Sequence, residues 1–312
     1  MARGVGCRGC LIGCAAVVAV LVLVPLVLWA VSAGIGDRPP LPISDVQEHP
    51  LPVSAPEPSG DQPTDGGLAG ELPEFRMQGL VRLDVSAAEL DVVPGLAGEP
   101  LRLEADYDAA AFLLEESLEE TGDGWEYSLR HAPRFATLAR GGGRDSSRLR
   151  LILPPGHPLT LAGRVRWGES RIELGGLSLV EVDLRLGAGE HEVSFGEPLP
   201  RPLRHLSLDA SFGELSVHRV GNASPLTTRI EHSAGELRVD LEGAWRQDGE
   251  VRVSFGFGTC RIALPATIPA IVERASLPLG ERRISGDEAA GEGGGPRVHL
   301  WASGTAGELW VN

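Results

Sequence analysis

The sequence has 312 residues and a mass of 33.0 kDa, which is enough for about two domains and for a core that folds without cross-links. Its 28 basic residues are all arginine and face 43 acidic residues, so the formal net charge of -15 excludes a nucleic-acid-binding protein, which needs a basic stripe. The 41 glycines and 24 prolines, with only seven phenylalanines, predict a turn-rich all-β protein.

Residues 11–33 form an almost wholly apolar run, and no charged residue lies between Arg8 and Asp37. About 20 such residues span the hydrocarbon core of a bilayer, so the run predicts a single transmembrane helix within residues 1–36. Arg3 and Arg8 precede the run, so the positive-inside rule places the N-terminus in the cytoplasm and the rest outside. Cleavage by a signal peptidase after the small residues 31–33 is the alternative.

Residues 37–73 contain nine prolines among serine, aspartate and glycine. A segment of this composition buries too little apolar surface to order itself, and proline favours the extended polyproline II conformation. The sequence therefore predicts a disordered, semi-rigid spacer that holds a folded domain away from the membrane.

One short phrase recurs through the rest of the chain: a glycine, usually a glutamate, a residue that is most often Leu, any residue, and then Val or Ile. Its copies begin at Gly168, Gly189, Gly213, Gly235, Gly258 and Gly307, with an early relative at Ala88. The spacing of 21 to 24 residues between Gly168 and Gly258 is typical of stacked repeats. A degenerate copy at Gly280 has Arg282 where an apolar residue belongs, so we expect that repeat to be distorted or looped out.

Each copy predicts a β-strand that bends at its glycine, the residue that best tolerates a bend. Side chains alternate between the faces of a strand, so the second and fourth residues after the glycine point inward together and the glutamate points outward. We therefore predict that four β-branched residues form one buried column, one from each repeat: Val193, Val217, Val239 and Ile262.

Residues 74–147 depart from this period and predict a separate N-terminal β module before the repeat domain of residues 148–312. The segments 101–105 and 125–129 predict strands, whereas residues 109–120 are ambiguous between a short helix and a strand. The predicted fold class is all-β, a repeat-built β-solenoid. A β-sandwich is the alternative, because it also combines short strands with frequent turns.

The copies LRLGAGEHEV, DASFGELSV and EHSAGELRVDL resemble the toast-rack family of bacterial envelope proteins, which includes the C-terminal domain of LiaF-like cell-wall-stress regulators. The stretch VRLDVSAAELDVVPGLAGEPLRLEADYD resembles the N-terminal toast-rack module of that family, so the resemblance covers residues 78–312. It implies a β-helical stack outside the membrane with no assigned active site. LiaF-like regulators have several membrane helices, whereas this sequence predicts one.

One set of residues suggests chemistry, the predicted outward glutamates of the repeats: Glu169, Glu190, Glu214, Glu236 and Glu308. Stacking in register would set these like charges opposite one another, which is unfavourable unless it is relieved. Calcium, which takes oxygen ligands, is one means of relief. The other is screening by water and by the nearby arginines Arg171, Arg238 and Arg261.

No hydrolase, metalloprotease or nucleotide-binding motif is present in the sequence. The acidic residues, serines and histidines of the repeats are scattered singly: Asp183, Glu192, Asp240, Ser170, Ser216, Ser233, His191, His205, His218 and His232. We therefore predict no enzyme, no catalytic or metal-binding residue and no cofactor.

The predicted function is a non-catalytic binding or scaffolding module on the outer side of the bacterial cytoplasmic membrane. The expected partner is an envelope protein or glycan, not a nucleic acid or a small-molecule substrate, and the acidic surface favours neutral or cationic partners. One alternative is a cell-envelope-stress regulator acting on a membrane sensor kinase. Another is a carbohydrate-active enzyme on a β-helix.

Overall fold

Alternating apolar residues build one large β-sheet. The computed structural model describes residues 43–49, 78–122, 124–134, 147–285 and 295–312, and within them 15 strands pair in a single sheet with one four-residue helix, α1 (Val220–Ala223). The strands are β1 (Ile43–His49), β2 (Gln78–Val85), β3 (Ala88–Pro94), β4 (Leu101–Tyr107), β5 (Phe112–Thr121), β6 (Gly124–Pro133), β7 (Ser147–Leu153), β8 (Leu159–Glu173), β9 (Leu179–Ser194), β10 (His205–His218), β11 (Thr227–Asp240), β12 (Gly249–Ala263), β13 (Ala270–Ser276), β14 (Leu279–Ile284) and β15 (Val298–Val311).

The long strands β8, β9, β10, β11, β12 and β15 pair side by side, in that order, as a parallel stack. Their register places the glycine of every repeat opposite the glycine of the next. We call this row the glycine column, and it consists of Gly168, Gly189, Gly213, Gly235, Gly258 and Gly307. The repeat phrase therefore has one structural position in each of the six strands.

The short connections between these strands require each strand to bend. Strand β8 has 15 residues and would be about 50 Å long if it were straight. Only residues 174–178 connect its end to the start of β9, and a segment of that length reaches at most about 20 Å. The bend lies at the glycine column, where every glycine has a positive φ that residues with a side chain rarely adopt.

Shorter strands placed end to end continue the stack beyond β8. Strand β2 pairs with the first half of β8 and β3 with its second half, so that Ala88 lies opposite Gly168. Strands β6 and β7 pair in the same way with β2 and β3, so strand pairing runs across residue 148. Strands β5, β4 and β1 complete this end with antiparallel pairing.

The predicted buried column is confirmed. Val193, Val217, Val239 and Ile262 lie opposite one another in successive strands and are at most 2% exposed. Cys260 lies in the neighbouring buried column, and burial raises the pKa of its thiol to about 12. Three further buried columns lie before the glycine, as in Leu206, Leu208 and Ala210 of β10, so the core runs the length of the stack.

The prediction for the Gly280 copy is confirmed only in part, because β13, the first strand of that repeat, shifts register against β15 between Val272 and Arg274. Strand β14 is neither distorted nor looped out, because it pairs in register with β15 and sets Gly280 opposite Gly307. The C-terminal strand β15 is inserted between β12 and the β13–β14 pair, so the spatial order differs from the chain order. All six residues of β14 are exposed, and Arg282 therefore meets no core that would require an apolar side chain.

Two further expectations need correction. Residues Ile43–His49, inside the predicted disordered spacer, form strand β1 on the outer side of β4, and prolines 42 and 50 flank this proline-free segment. Of the ambiguous residues 109–120, the first three form a turn and the rest belong to strand β5, which pairs with β6. The apolar run 11–33 lies outside the described residues. Among those described, no helix is long and apolar enough to cross a membrane.

Replacing Gly235 by alanine tests the glycine column. The φ of Gly235 is 127°, and an added Cβ would lie 1.9 Å from the carbonyl oxygen of Gly213, so strand pairing must yield. We expect Gly235→Ala to lower the free energy of unfolding by about 2–4 kcal/mol. Gly156→Ala is the control, because nothing lies within 4 Å of its added Cβ and the change should be close to neutral. Equal stabilities of the two variants in urea denaturation would contradict the role of the column.

Candidate functional site

The glutamate after each glycine forms an outward column along the stack. Register places Glu89, Glu169, Glu190, Glu214 and Glu236 opposite one another in successive strands, as the repeat phrase predicts. Thr259 interrupts the row, and Glu308 and Glu281 continue it on β15 and β14. We call this row the glutamate column. It repeats one carboxylate at each strand spacing of about 4.8 Å.

Arginines bridge the carboxylates of this column. Arg238 contacts both Glu214 and Glu236, and its nitrogen lies 2.7 Å from the Glu236 carboxylate. Arg261 is a second cation beside Glu236, at 3.5 Å. The like charges are therefore relieved here by arginine, the second of the two means that the sequence suggests. Within the described ranges, no group of three or more His, Cys, Asp or Glu residues is arranged to hold a metal ion.

The same compensation operates at the β3 end of the column. Arg148 and Arg171 each donate to the carboxylate of Glu89, at 3.2 and 3.1 Å, and Arg171 also lies 3.9 Å from Glu169. The hydrogen bond from Arg148 is the largest effect on the Glu89 carboxyl and lowers its pKa, while burial acts in the opposite direction. A cation thus lies between neighbouring carboxylates both at Glu89 and Glu169 and at Glu214 and Glu236.

A shallow groove of about 300 Å³ lies in the middle of the glutamate column. Its lining includes Glu169, Glu190 and Glu214 from three successive strands. Glu190 makes no ion pair with any described residue, and its carboxylate is exposed to solvent. The groove therefore presents a carboxylate that is free to accept hydrogen bonds from a ligand.

Ser170 and His191 form a buried pair that sequence reasoning missed. The Ser170 Oγ is hydrogen-bonded to His191 Nδ1 at 2.8 Å, and the two residues are 1% and 3% exposed. Burial lowers the pKa of His191 to about 4, against the effect of the nearby Gly187 carbonyl, and its Nε2 makes no hydrogen bond. A nucleophile this inaccessible, beside an imidazole with no orienting partner, lacks the geometry of a hydrolase. The sequence could have predicted this pair, because both residues stand two positions after a repeat glycine and therefore lie opposite each other in the buried column.

The other residues considered from the sequence do not converge in the described structure. Asp183 and Glu192 are exposed nine residues apart on β9, and Ser233 is exposed on β11. Asp240 accepts the backbone N–H of Glu242 at 2.8 Å, an ordinary turn contact.

The remaining histidines are also separate. His205 is hydrogen-bonded to Thr227 at 2.7 Å, and His218 lies 3.9 Å from Glu192. His232 is buried in a different column from His191, and burial lowers its pKa. Within the described residues, no two histidines lie opposite each other in neighbouring strands, although, besides burial, the charge of His232 contributes to the lowered pKa of His191.

A second groove of about 470 Å³ lies on the outward face of β11, β12 and β15. The Arg252 guanidinium lies over the Trp301 ring, 5.4 Å from its centroid. Thr228, on the groove wall, has a buried hydroxyl without a hydrogen-bond partner. The residues that line this groove precede the repeat glycines, whereas the repeat phrase begins at the glycine. The phrase therefore could not predict this groove.

Burial of His191 predicts that stability falls in acid. Its folded pKa of about 4 lies below that of about 6.5 in the unfolded chain, so the unfolded state binds the proton first as the pH falls through this window. We expect His191 to account for about 2 kcal/mol of the stability lost between pH 7 and pH 5. His191→Leu, which matches Leu215 and Leu237 of the same column, should remove that part in urea denaturation.

His218→Leu is the matched control, since the His218 side chain is 43% exposed and its removal should leave the pH dependence of unfolding intact. If His191→Leu lost as much stability between pH 7 and pH 5 as the wild type, the buried imidazole would not be the cause of the loss.

Arg238→Ala tests compensation in the glutamate column. Without this arginine, Glu214 and Glu236 face each other across one strand spacing. We expect a destabilisation of about 1 kcal/mol at low salt, small because the Arg238 side chain is 40% exposed, and a smaller effect in 1 M NaCl. Arg130→Ala removes a single exposed ion pair with Glu115 and should change stability little. A salt-independent loss in Arg238→Ala would contradict the electrostatic explanation.

Comparison with known proteins finds little similarity. No protein-family model matches the chain, and no curated protein matches it. One solved structure with a related outline is the crystal structure of a "putative cell adhesion protein" from Clostridium sporogenes, with 12% sequence identity. The match covers 86% of this chain and 98% of that one, with a TM-score of 0.41. A similarity at this level supports no conclusion about the function of this chain.

Proposed function

We propose that this protein is a membrane-anchored, non-catalytic binding or scaffolding module of the bacterial cell envelope, built as a β-solenoid of the toast-rack type. The observation that supports the proposal most directly is the register of the repeats. The glycine column holds six strands at one alignment, so each outward position recurs along the surface at the strand spacing. Such a surface suits an extended partner.

The solenoid part of the proposal rests on connectivity. Consecutive strands β8 to β12 pair in parallel, and no connection between them holds a helix longer than the four residues of α1. Parallel strands otherwise need a long crossover. A strand that bends at its glycine and returns through a short loop forms one coil, and successive coils stack.

The envelope location rests on the sequence. The apolar run 11–33 is long enough to span a bilayer, and the arginines before it place the repeats outside the cytoplasm. Residues 34–42 join this run to β1, the first strand of the sheet, and residues 50–77 join β1 to β2. The net charge of -15 disfavours contact with anionic lipid headgroups and favours a neutral or cationic partner.

Protease treatment of bacterial spheroplasts that make the full chain tests the location. We expect added protease to reach the repeats in intact spheroplasts and to leave an N-terminal epitope protected. Cleavage only after lysis would place the repeats in the cytoplasm and contradict the proposal.

Photocrosslinking in the same cells tests binding. A benzophenone amino acid in place of Glu190 or Asp209, both exposed on the outward surface, should form adducts with an envelope component. The same substitution at Glu197, in the exposed loop after β9, is the control for random collision. Adducts that are equal at all three positions, or that contain cytoplasmic proteins alone, would contradict the binding role.

A further inference from the structure

Three large aromatic side chains are exposed at one repeat position, the residue immediately before the glycine. Trp167 is 47% exposed, and Phe212 and Phe257 are each 61% exposed. Because the strands are parallel and in register, the three rings lie on one line along the bend of the stack. We call this row the aromatic ridge.

Alanines separate the rings of the ridge. Ala188 lies between Trp167 and Phe212, and Ala234 lies between Phe212 and Phe257. Ala306 and then the 65% exposed Leu279 continue the alternation of small and large residues on β15 and β14. The rings therefore recur at every second strand, about 9.6 Å apart, with open space above each alanine.

The rings of the ridge differ from the neighbouring tryptophans in having no cation above them among the described residues. Trp301 and Trp310, the other partly exposed tryptophans of the repeats, lie under the guanidinium groups of Arg252, Arg261 and Arg283. In the part of the chain that the structure describes, no such contact and no ring–ring contact involves the aromatic ridge. Apolar area of this size, left in water in a regular row, marks an interaction surface.

We propose that the aromatic ridge binds an extended, neutral, β-linked polysaccharide, with every second sugar stacked on one ring. This inference rests on the proposed binding function and names the partner class. The axial C–H groups of a pyranose form an apolar face that fits the negative face of an aromatic ring. In a β-1,4-linked chain alternate sugars are turned over, so the same face recurs once per disaccharide. A row of rings at every second strand matches that kind of repeat.

The charge beside the ridge supports a neutral ligand. The glutamate column lies two residues further along each strand, and only the glycine column, which has no side chains, separates the two rows. The carboxylate of Glu190, which makes no ion pair with any described residue, can accept hydrogen bonds from sugar hydroxyls. That free charge and the net charge of -15 repel uronic acids, phosphate-bearing polymers and anionic lipids.

The shape of the ridge favours a glycan over a protein. Protein interfaces have a contiguous, closely packed core of several neighbouring side chains. The aromatic ridge is one residue wide, its rings are separated by alanines, and carboxylates line one side. A thin polymer with a regular repeat can contact every ring, whereas a folded surface would leave the gaps unfilled.

Isothermal titration of the detergent-solubilised full chain with cellohexaose and with the hexamer of β-1,4-linked N-acetylglucosamine tests the inference. We expect at least one of these to bind and polygalacturonate, an acidic polymer, not to bind. Phe212→Ala, Phe257→Ala and Trp167→Ala should each weaken binding roughly tenfold. Alanine already occupies this position in β9, β11 and β15, so the fold should tolerate the changes. Trp310→Ala, away from the ridge, should leave affinity unchanged.

A ring-shifted variant tests whether glycan binding depends on the spacing of the rings or only on their exposed apolar surface. Phe212→Ala combined with Ala234→Phe keeps the composition and the number of rings but changes their spacing from two and two strands to three and one. We expect it to bind at least tenfold more weakly than the wild type. Phe212→Trp, which keeps a ring in place, should retain affinity.

Two outcomes would overturn the inference: no binding of either neutral hexasaccharide, or equal binding by the wild type, the alanine variants and the ring-shifted variant. If ridge substitutions instead abolish crosslinks to an envelope protein, the glycan inference fails while the proposed binding function stands. If the protease places the repeats in the cytoplasm but glycan binding depends on the ridge, the proposed location fails and the ligand assignment stands.

Discussion

The close approach of backbone to backbone at the glycine column is the constraint on which the structure depends. At Gly189, Gly213, Gly235, Gly258 and Gly307 an added Cβ would lie within 2.0 Å of the carbonyl oxygen of the neighbouring glycine. No side chain fits in that space, and the positive φ values exclude most other residues in any case. The bend is therefore fixed at one position in every repeat. Register, the buried columns and the outward columns all follow from it.

Because the register is fixed, a given position of the repeat faces the same side of the sheet in every long strand. A residue that departs from the pattern can be compensated by a residue in the neighbouring strand. Ser170 and His191 replace leucines in a buried column, and they hydrogen-bond to each other across neighbouring strands. Glu214 and Glu236 repeat a charge, and Arg238 lies between them. A stack of this kind couples neighbouring repeats. A substitution in one strand therefore has to be judged against the residue opposite it and not against its sequence neighbours.

The part of the fold that depends on local period could be predicted from the sequence. Val193 and Val217 lie in one buried column because period-two alternation and a fixed repeat length determine where they point. The insertion of β15 between β12 and β13–β14 could not be predicted, since every copy of the phrase pairs with any other copy equally well. Strand β5 was ambiguous because its pairing with β6, rather than the local sequence, decides its conformation. Strand β1 depends in the same way on the edge that β4 offers.

Only part of the candidate site could be predicted from the sequence. The glutamate column follows from the repeat phrase, whereas the exposure of the aromatic ridge contradicts simple alternation of side chains along a strand. Leu206, Leu208 and Ala210 point inward, so alternation places Phe212 inward as well, and the bend at Gly213 turns it out instead. The residues after the bend restart the alternation in the opposite phase, and Leu215 and Val217 are buried again. A large apolar side chain is thus not required before the glycine, as Ala188 and Ala234 show. The stability of the fold does not require large rings at an exposed position where alanine also fits, and this supports the proposed contact of the aromatic ridge with a ligand.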